Sequence, residues 1–322
     1  MTNAYGNFTH QSLGYNLIGA GHPMEFGTVI PPNGHLAAYV SSVALPDGTD
    51  QAIVQRTVKT LGAALQQCRA GENDYIIVLP GHVEDVVDAT FMDNLVAGCT
   101  IMGVGDPRKG NAPTFTFTTA TTANWNIDDA NVTIRGLKFD LTGFDAVVAG
   151  ITVAANNVTI EDNYFVCSSS TAQAVDAIDI GDADNTVIKG NWAVGSGSPM
   201  DGSFIAMDEA LADNTLIQGN IAIGQFAAAG GVVDISAAAT NVAILDNIFV
   251  NATAASTATV AVADVASSGV IHGNISTVEN NGTASAQGVV FAGTTTTTIK
   301  CGLNHTSDQA GASGLLAPTA AT

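Results

Sequence analysis

An apolar position recurs along most of the chain at a nearly constant interval, each time inside a short strand-like segment. In Thr159-Ile-Glu161 it is Ile160, which stands between two polar residues. Its equivalents lie 26 to 29 residues apart, at Ile134, Ile160, Ile188, Ile217, Ile244 and Ile271, with a looser copy at Ile299. One apolar position between polar ones is typical of a half-buried strand, and a period in this range indicates stacked supersecondary units. These isoleucines are therefore the predicted core stack.

A polar turn follows each of these isoleucines at a fixed distance. Two residues on stands Gly or Asp, and three residues on stands Asn in five copies. Gly-Asn and Asp-Asn pairs readily adopt positive φ, so the chain is expected to turn sharply here between two short strands. Asn side chains stacked at one turn can also hydrogen-bond from coil to coil. The predicted turn ladder consists of Asn163, Asn191, Asn220, Asn247 and Asn274.

A further apolar strand precedes each isoleucine by about 9 to 12 residues, as Val232-Val-Asp-Ile235 precedes Ile244. Segments of helical period are missing between these strands, which excludes leucine-rich repeats. The pattern predicts an all-β fold, a parallel β-solenoid of about eight coils over residues 95–305. Each coil is expected to bury its apolar residues against the coils above and below it.

The two ends of the chain lack this period. Residues 1–35 are predicted to form an N-terminal arm, and residues 306–322 a C-terminal tail. Residues 36–94 are predicted to hold an entry strand, a capping helix from Gln51 to about Arg69, and the first strands. Apolar positions in that helix segment, among them Val54, Val58 and Leu61, follow the 3.6-residue helical period.

The net charge of the chain excludes some classes of partner. The chain has 9 Lys and Arg against 29 Asp and Glu, a net charge of -20. Such a surface repels nucleic acid, so no nucleic-acid partner is expected. The acidic surface is interpreted as a solvated coat, with a docking site for a basic partner as the alternative. No apolar run is long enough for a membrane span and no secretory signal is seen, so synthesis in a cytoplasm without membrane insertion is expected.

The four cysteines are Cys68, Cys99, Cys167 and Cys301. Their wide spacing indicates neither a zinc site nor a disulfide framework, and they are interpreted as buried small apolar residues. No metal and no cofactor are expected.

The repeat resembles the right-handed parallel β-helix of the pectate-lyase-like superfamily over roughly residues 36–305. The entry segment, with a strand at Tyr39-Val-Ser-Ser and later Asp74-Tyr-Ile-Ile-Val-Leu-Pro-Gly-His-Val-Glu84, is similar to the one that introduces the β-helix in many bacteriophage virion proteins and some secreted enzymes. The resemblance implies a right-handed, single-stranded β-helix. It does not select a function, because this fold carries lyases, hydrolases, tailspikes and inert capsid-attached proteins.

An enzymatic reading depends on a few charged residues. A lyase of this fold needs a basic residue beside acidic ones, but Arg135, Lys138, Lys189 and Lys300 are scattered over different coils. A glycoside hydrolase needs two carboxylates about 5 to 9.5 Å apart. Spacings of 29, 26 and 30 residues suggest a column of carboxylates on one outward face, formed by Asp179, Asp208, Asp234 and Asp264. Such a column could be a catalytic pair or a cation site, and a solvated or inter-subunit face is the favoured interpretation.

His82, Glu84 and Asp85 follow a Pro-Gly turn and carry side chains of types that occur in active sites. In the resembling family this segment is structural. His272 is interpreted as a surface residue.

The outer faces of the coils are poor in charge, which favours lateral packing, and β-helices of this kind often trimerise. The expected function is that of a non-enzymatic bacteriophage virion protein, a homotrimer that decorates the capsid or forms a head fibre. Its partners would be the major capsid protein or other virion proteins, reached through the non-repeating ends. The alternatives are a tailspike-like polysaccharide depolymerase using Asp179, Asp208 and Asp234, and an adhesion protein for a host-surface glycan.

Overall fold

Short parallel strands stack into three sheets that run along the chain. The computed structural model describes residues 35–45, 49, 51–208, 212–228, 230–254, 256–264, 266–278, 287–291, 298–308 and 313–315. The predicted arm lies outside these ranges except for His35, and the predicted tail except for 306–308 and 313–315.

Sheet 1 contains the repeated isoleucines. Its eleven strands pair in the order β2-β1-β3-β5-β8-β11-β14-β17-β20-β23-β26. They are β1 (His35–Val40), β2 (Thr57–Val58), β3 (Asp74–Val78), β5 (Thr100–Gly103), β8 (Thr133–Arg135), β11 (Thr159–Glu161), β14 (Val187–Lys189), β17 (Leu216–Gln218), β20 (Val242–Leu245), β23 (Ser268–His272) and β26 (Thr298–Gly302).

Sheet 2 follows the asparagine turn. Its ten strands are β4 (Val83–Asp85), β6 (Thr114–Thr116), β9 (Lys138–Asp140), β12 (Tyr164–Ser168), β15 (Trp192–Gly195), β18 (Ile221–Gly224), β21 (Ile248–Asn251), β24 (Ile275–Val278), β27 (His305–Asp308) and β28 (Ser313–Leu315). Neighbours pair in this order and in parallel, except for the antiparallel pair β27–β28.

Sheet 3 contains the apolar strand that precedes each isoleucine. Its seven strands are β7 (Trp125–Ile127), β10 (Val147–Val153), β13 (Ala174–Ile180), β16 (Ile205–Met207), β19 (Val233–Ile235), β22 (Ala258–Val262) and β25 (Gln287–Phe291). The chain visits the three sheets in turn, so the predicted all-β parallel β-solenoid of about eight coils is confirmed. Its right-handed sense stays a prediction.

The core lies between the three sheets. Register pairs Ile134 with Ile160, Ile160 with Ile188, and so on through Ile271, and all six isoleucines are 0–1% exposed. Burying a side chain of this size stabilises the fold by about 2–3 kcal/mol. Phenylalanines on sheet 2 form a second buried stack, in which the Phe139 and Phe165 rings lie 5.0 Å apart.

The last coil differs from the sequence-based alignment. Ile271 pairs with Cys301, and Ile299 lies two residues earlier, opposite Gly269. A shift by two residues keeps the same face of the strand inward, because side chains alternate with period two. The apolar pattern alone therefore could not distinguish the two alignments.

The predicted helix from Gln51 to about Arg69 is wrong in extent. The segment forms α1 (Gln51–Arg56), the strand β2 and α2 (Leu61–Leu65). The β-branched pair Thr57-Val58 extends sheet 1 by pairing with Tyr39 and Val40, and the Thr60 side chain caps the second helix by accepting from Ala63 N at 3.3 Å. Val54, which the helical period placed inward, is 42% exposed.

Helix α2 packs inward, since Leu61 and Leu65 are fully buried in the main core. Within the described part of the chain, neither helix has the length and apolar character required to cross a bilayer.

Candidate functional site

The corner between sheets 1 and 2 is a buried hydrogen-bonded ladder of asparagines. The Asn220 side chain donates from Nδ2 to Ile188 O at 2.9 Å and to Asn247 Oδ1 at 3.0 Å. Its Oδ1 accepts from the backbone N and the Nδ2 of Asn191 at 2.9 and 3.1 Å. The same pattern links Asn163, Asn191, Asn220, Asn247, Asn274 and Asn304. Every member is used to satisfy backbone groups of the turn, so the ladder is architecture.

Sequence reasoning missed one rung of this ladder, and the structure gives the conformation of a second corner, at the asparagine that starts most repeats. Asn304 extends the ladder by one rung, because Cys301 and not Ile299 continues the core stack. The asparagine that opens each repeat forms another corner, where Asn131, Asn157, Asn185, Asn214 and Asn241 have φ between 57° and 62°. Asn adopts this left-handed conformation more easily than other non-glycine residues, and the recurrence of Asn at this position was the available signal.

The four carboxylates that the sequence spacing placed in one column do not occupy equivalent positions in successive coils. Asp179 pairs with Ala206, and Ala206 pairs with Asp234, so the two acids are two coils apart in sheet 3. Asp208 lies just beyond the end of β16, and Asp264 lies beyond the end of β22. The coil from Ile178 to Ile205 advances by 27 residues, so the interval of 29 between Asp179 and Asp208 does not mark the same position. Equal intervals indicate equal positions only when the loops have equal lengths.

A different acidic cluster exists beside this column. Asp176, which spacing did not single out, accepts a hydrogen bond from Ser203 N at 2.6 Å. Its pKa is raised to about 6, mainly by burial and to a smaller extent by the charges of Asp208 and Asp234, against the lowering effect of the Ser203 bond. Burial also raises the pKa of Asp234, with Asp208 as the second cause. We name Asp176, Asp208 and Asp234 the acidic cluster.

Glycine makes this close packing of acids possible. A Cβ on Gly202 would lie 2.3 Å from Asp176 Oδ1, and a Cβ on Gly230 would lie 2.8 Å from Asp234 Oδ2. A carboxyl group that holds its proton near neutral pH can act as a general acid when an ionised carboxylate lies nearby. This is the chemistry that the acidic cluster could perform.

The candidate lyase bases Arg135 and Lys189 lie in one register column with Glu161 between them. Arg135 contacts Glu161 at 3.0 Å and Asp162 at 3.4 Å, and Lys189 contacts Glu161 at 2.8 Å. Both cations are therefore held in ion pairs with carboxylates of the same face. Of the other two, Lys138 pairs with Asp140 at 3.7 Å, and Lys300 is exposed on β26.

The reactive-looking residues His82 and Glu84 hold the entry segment together. His82 is fully buried and its Nδ1 accepts from Ser42 N at 3.0 Å, so its Nε2 carries the hydrogen that is donated to Glu84 Oε2, also at 3.0 Å. Glu84 Oε2 in turn accepts from Leu61 N, at the start of α2, at 2.7 Å. These bonds tie the strands to α2, and they give the segment a structural role.

Asp85 also has structural partners. It accepts from the backbone N of Thr118 at 3.2 Å and from the hydroxyl of the same residue. His272 is exposed at the end of β23.

The outward side of sheet 2 is uncharged over five consecutive strands and apolar at every outward position of these strands except Thr277. Strands β12, β15, β18, β21 and β24 contain no charged residue, and their outward positions form two columns in register. We name as the apolar face the outward residues Tyr164, Trp192, Ile221, Ile248 and Ile275 in one column and Val166, Val194, Ile223 and Val250 in the other. Ile223 is 41% exposed and Ile275 is 46% exposed.

The apolar face has a polar border on its N-terminal side. The guanidinium carbon of Arg108 lies 5.1 Å from the centre of the Trp192 ring, and Arg108 also pairs with Asp106 at 3.0 Å. The next strand towards the N-terminus, β9, presents Lys138 and Asp140 outward. The character of sheet 2 therefore changes from polar to apolar between β9 and β12.

Among the described residues, no group of three or more His, Cys, Asp or Glu side chains is placed to hold a metal ion. Comparison of the chain with protein-family profiles, with curated proteins and with solved structures finds no match. The parallel β-solenoid is thus described from the structure of this chain, and the pectate-lyase-like and bacteriophage resemblances stay proposals.

Proposed function

We propose that the protein is a non-enzymatic structural component that works as an assembled rod, a homotrimer whose copies contact one another through the apolar face. The observation that carries this proposal is the run of five uncharged strands on sheet 2, whose outward residues are aliphatic or aromatic except for Thr277 on β24. Contiguous apolar surface of this kind is typical of protein–protein contacts.

Charge supports the same conclusion. Each copy has a net charge of -20, so copies repel one another wherever their acidic surfaces meet. The apolar face lets two copies approach without bringing carboxylates together. Aromatic and aliphatic side chains at the centre of a contact, with charges at its rim, are the usual composition of an interface. Arg108, Lys138 and Asp140 occupy the rim position here.

A solution measurement of mass tests the assembly. Light scattering after size exclusion is expected to give three chains per particle for the wild type. Ile223→Lys and Ile275→Lys place a charge on the apolar face at exposed positions, and are expected to shift the particle to a monomer without loss of folding. Val148→Lys is the matched control, because Val148 is 55% exposed on β10 of sheet 3.

A wild-type monomer at micromolar concentration would remove the homotrimer from the proposal. A trimer that survives both sheet 2 substitutions would place the contact elsewhere on the rod.

We assign this rod to a bacteriophage virion, as a capsid decoration or head-fibre protein whose partners are the major capsid protein or other virion proteins. The support is the resemblance of the entry segment, together with the structural use of His82 and Glu84 in that segment. The non-repeating ends, residues 1–35 and 306–322, are the proposed attachment points because they lack the repeat of the coils.

Co-sedimentation with purified capsids tests the attachment. Deletion of residues 1–34 leaves β1 intact and is expected to abolish decoration while the coils still fold. Normal decoration by the shortened chain would show that the arm is not the attachment point, and a matching deletion of residues 316–322 then tests the other end.

A second candidate function, a polysaccharide depolymerase, is favoured by the acidic cluster. The pKa of about 6 at Asp176 would let that carboxyl donate a proton to a glycosidic oxygen, with Asp208 and Asp234 as the neighbouring carboxyl groups of the pair that such a reaction needs. Asp179, the other sequence-based candidate, lies on the same strand β13, three residues further along.

Release of reducing ends from a panel of acidic and neutral polysaccharides tests this candidate. Hydrolysis that is lost in Asp176→Asn and kept in Asp128→Asn, an exposed control, would support it. The absence of turnover across the panel would exclude it, and glycan binding without turnover would mark the protein as an adhesin.

A further inference from the structure

Two cysteines that lie far apart in the sequence meet where the entry segment joins the first coils. The Sγ atoms of Cys68 and Cys99 are 3.7 Å apart, although 31 residues separate them. Cys68 follows α2, where its backbone N donates to Leu65 O at 2.9 Å, and Cys99 immediately precedes β5. We propose that Cys68 and Cys99 are a dithiol that a small-molecule disulfide, such as glutathione disulfide, oxidises to an intramolecular disulfide.

The surrounding backbone already holds the two segments together. Gly71 N donates to Ala97 O at 2.8 Å, and Arg69 pairs with Asp74 at 3.2 Å across the turn that follows Cys68. Cys99 O accepts from Thr133 N of the next coil at 3.0 Å. Sulfur atoms that are held in contact in this way need to move closer only to the length of a disulfide bond, about 2.0 Å.

The difference in solvent exposure between the two cysteines gives the order of the two thiol–disulfide exchange steps. Cys68 is partly exposed, whereas Cys99 is fully buried. The Cys68 thiolate therefore attacks one sulfur of glutathione disulfide, which forms a mixed disulfide and releases one glutathione thiolate. The Cys99 thiolate then attacks the Cys68 sulfur and releases the second glutathione. The protein loses two electrons and two protons, and the oxidant gains both.

Formation of the mixed disulfide at Cys68 also favours the attack by Cys99. The hydrogen bond with Cys68 is the largest cause that raises the pKa of the Cys99 thiol, followed by burial and then by the charge of Cys68. A disulfide sulfur at Cys68 carries no thiolate charge and accepts a hydrogen bond from the Cys99 thiol only weakly, so both causes that come from Cys68 are reduced. Cys99 then loses its proton more readily while it lies next to the sulfur that it must attack.

The consequence is a covalent staple near the N-terminal end of the solenoid. The bond closes a loop that contains β3 and β4 and ties the turn after α2 to β5. A stack of coils opens most easily from its ends, because an end coil has a neighbour on one side only. A link at this place would therefore slow the opening of the entry segment, and it would form once the chain left a reducing compartment.

Peptide mapping tests the proposal on the full chain. The native protein is incubated with glutathione disulfide, blocked with N-ethylmaleimide after denaturation, and digested with trypsin without reduction. Cleavage after Lys59, Arg69 and Arg108 places Cys68 in peptide 60–69 and Cys99 in peptide 70–108. These two peptides are expected as one linked species, with Cys167 and Cys301 blocked as free thiols. The melting temperature is expected to rise by a few degrees and to fall again on reduction.

Two variants separate this reaction from other oxidation. Cys99→Ala is expected to stop at one glutathione on Cys68, and Cys301→Ala is expected to keep the linked species. Wild-type protein that keeps glutathione on Cys68, or that keeps both thiols free, would overturn the proposal. Links of Cys68 or Cys99 to Cys167 or Cys301, or links that form only in urea, would overturn it as well.

Discussion

Sheets 1 and 2 are built from the same coils and share a corner, but their outward sides differ completely. In sheet 1 the outward column runs Arg135, Glu161, Lys189, and each cation contacts the carboxylate between them at 2.8 to 3.0 Å. In sheet 2 the strands β12, β15 and β18 present Tyr164, Trp192 and Ile221. Sheet 1 pairs these charges within the chain, whereas strands β12, β15, β18, β21 and β24 of sheet 2 have no charges to satisfy.

This contrast is the reason why the proposed contact between copies is assigned to the outward side of the coil. The inward positions of both sheets hold apolar side chains that are packed between coils, and the corner holds the asparagine ladder, so neither is free to vary. Outward positions carry no such constraint. A paired column needs no partner, whereas an apolar column gains free energy when a partner removes it from water.

The largest effect is expected from breaking the corner that both sheets share. Asn220→Ala removes the acceptor for two groups of Asn191 and the donor to Ile188 O, all of them buried. Leaving these groups without partners is expected to cost about 3 kcal/mol of the free energy of unfolding. Urea denaturation measures the loss. Asn241→Gly is the control, because Asn241 is exposed and its φ of 58° suits glycine; equal losses in both variants would contradict the assigned role of the ladder.

A smaller effect is expected from breaking the charged column of sheet 1 alone. Glu161→Gln leaves Arg135 and Lys189 two coils apart without the carboxylate that both contact, and about 1–2 kcal/mol of stability is expected to be lost, because the pairs are only partly buried. The trimer of the proposal should persist. Dissociation of the wild-type particle by this substitution would mean that sheet 1, and not sheet 2, forms the contact.

In sheet 3, the acidic residue Asp176 has neighbours of the same charge, unlike the paired residues of sheet 1. Burial holds the pKa of Asp176 at about 6, above its value of about 3.9 in an unfolded chain. Because of the raised pKa, the folded state binds this proton more tightly than the unfolded chain does, and protonation of Asp176 stabilises the fold. This stabilisation is present in full below the unfolded pKa and is lost as pH rises through about 6. Stability is expected to increase by on the order of 1–2 kcal/mol between pH 7 and pH 5. Thermal melts across this range measure it, and Asp176→Asn should flatten the response; an unchanged slope in that variant would assign the effect to other groups.

The smallest effect is expected at the border of the apolar face. Arg108→Ala removes the guanidinium that lies over Trp192 and is expected to change the melting temperature by no more than about 1 °C. Acrylamide quenching of tryptophan fluorescence should increase, because Trp192 becomes more accessible while Trp125 stays fully buried. No change in quenching would show that Arg108 does not shield the ring in solution.

Much of the fold could be read from periodic residues. The core isoleucines, the asparagine turns and the third strand of each coil recur at intervals that a stack of coils must respect. The segment 51–69 was wrongly predicted as one helix, because the local apolar period did not reveal that Thr57-Val58 pairs with β1. The carboxylate column failed for a related reason, since the loop lengths between strands change the register from coil to coil.

The candidate sites were less predictable than the fold. Asp176 carries no repeat of its own, and it becomes distinctive only because Gly202 and Ser203 bring the next coil against it. Cys68 and Cys99 have no motif spacing, and their contact depends on how α2 packs at the end of the stack.

The sequence of this protein specified a parallel stack of coils, because one apolar position and one asparagine turn in every 26 to 29 residues can be buried and hydrogen-bonded together only if the coils lie in register. Which residues share an outward face was set by the folded chain. Register depends on every loop length at once, and a shift of two residues is invisible to a pattern of period two. The apolar face, the acidic cluster and the pair of thiols are all products of that register.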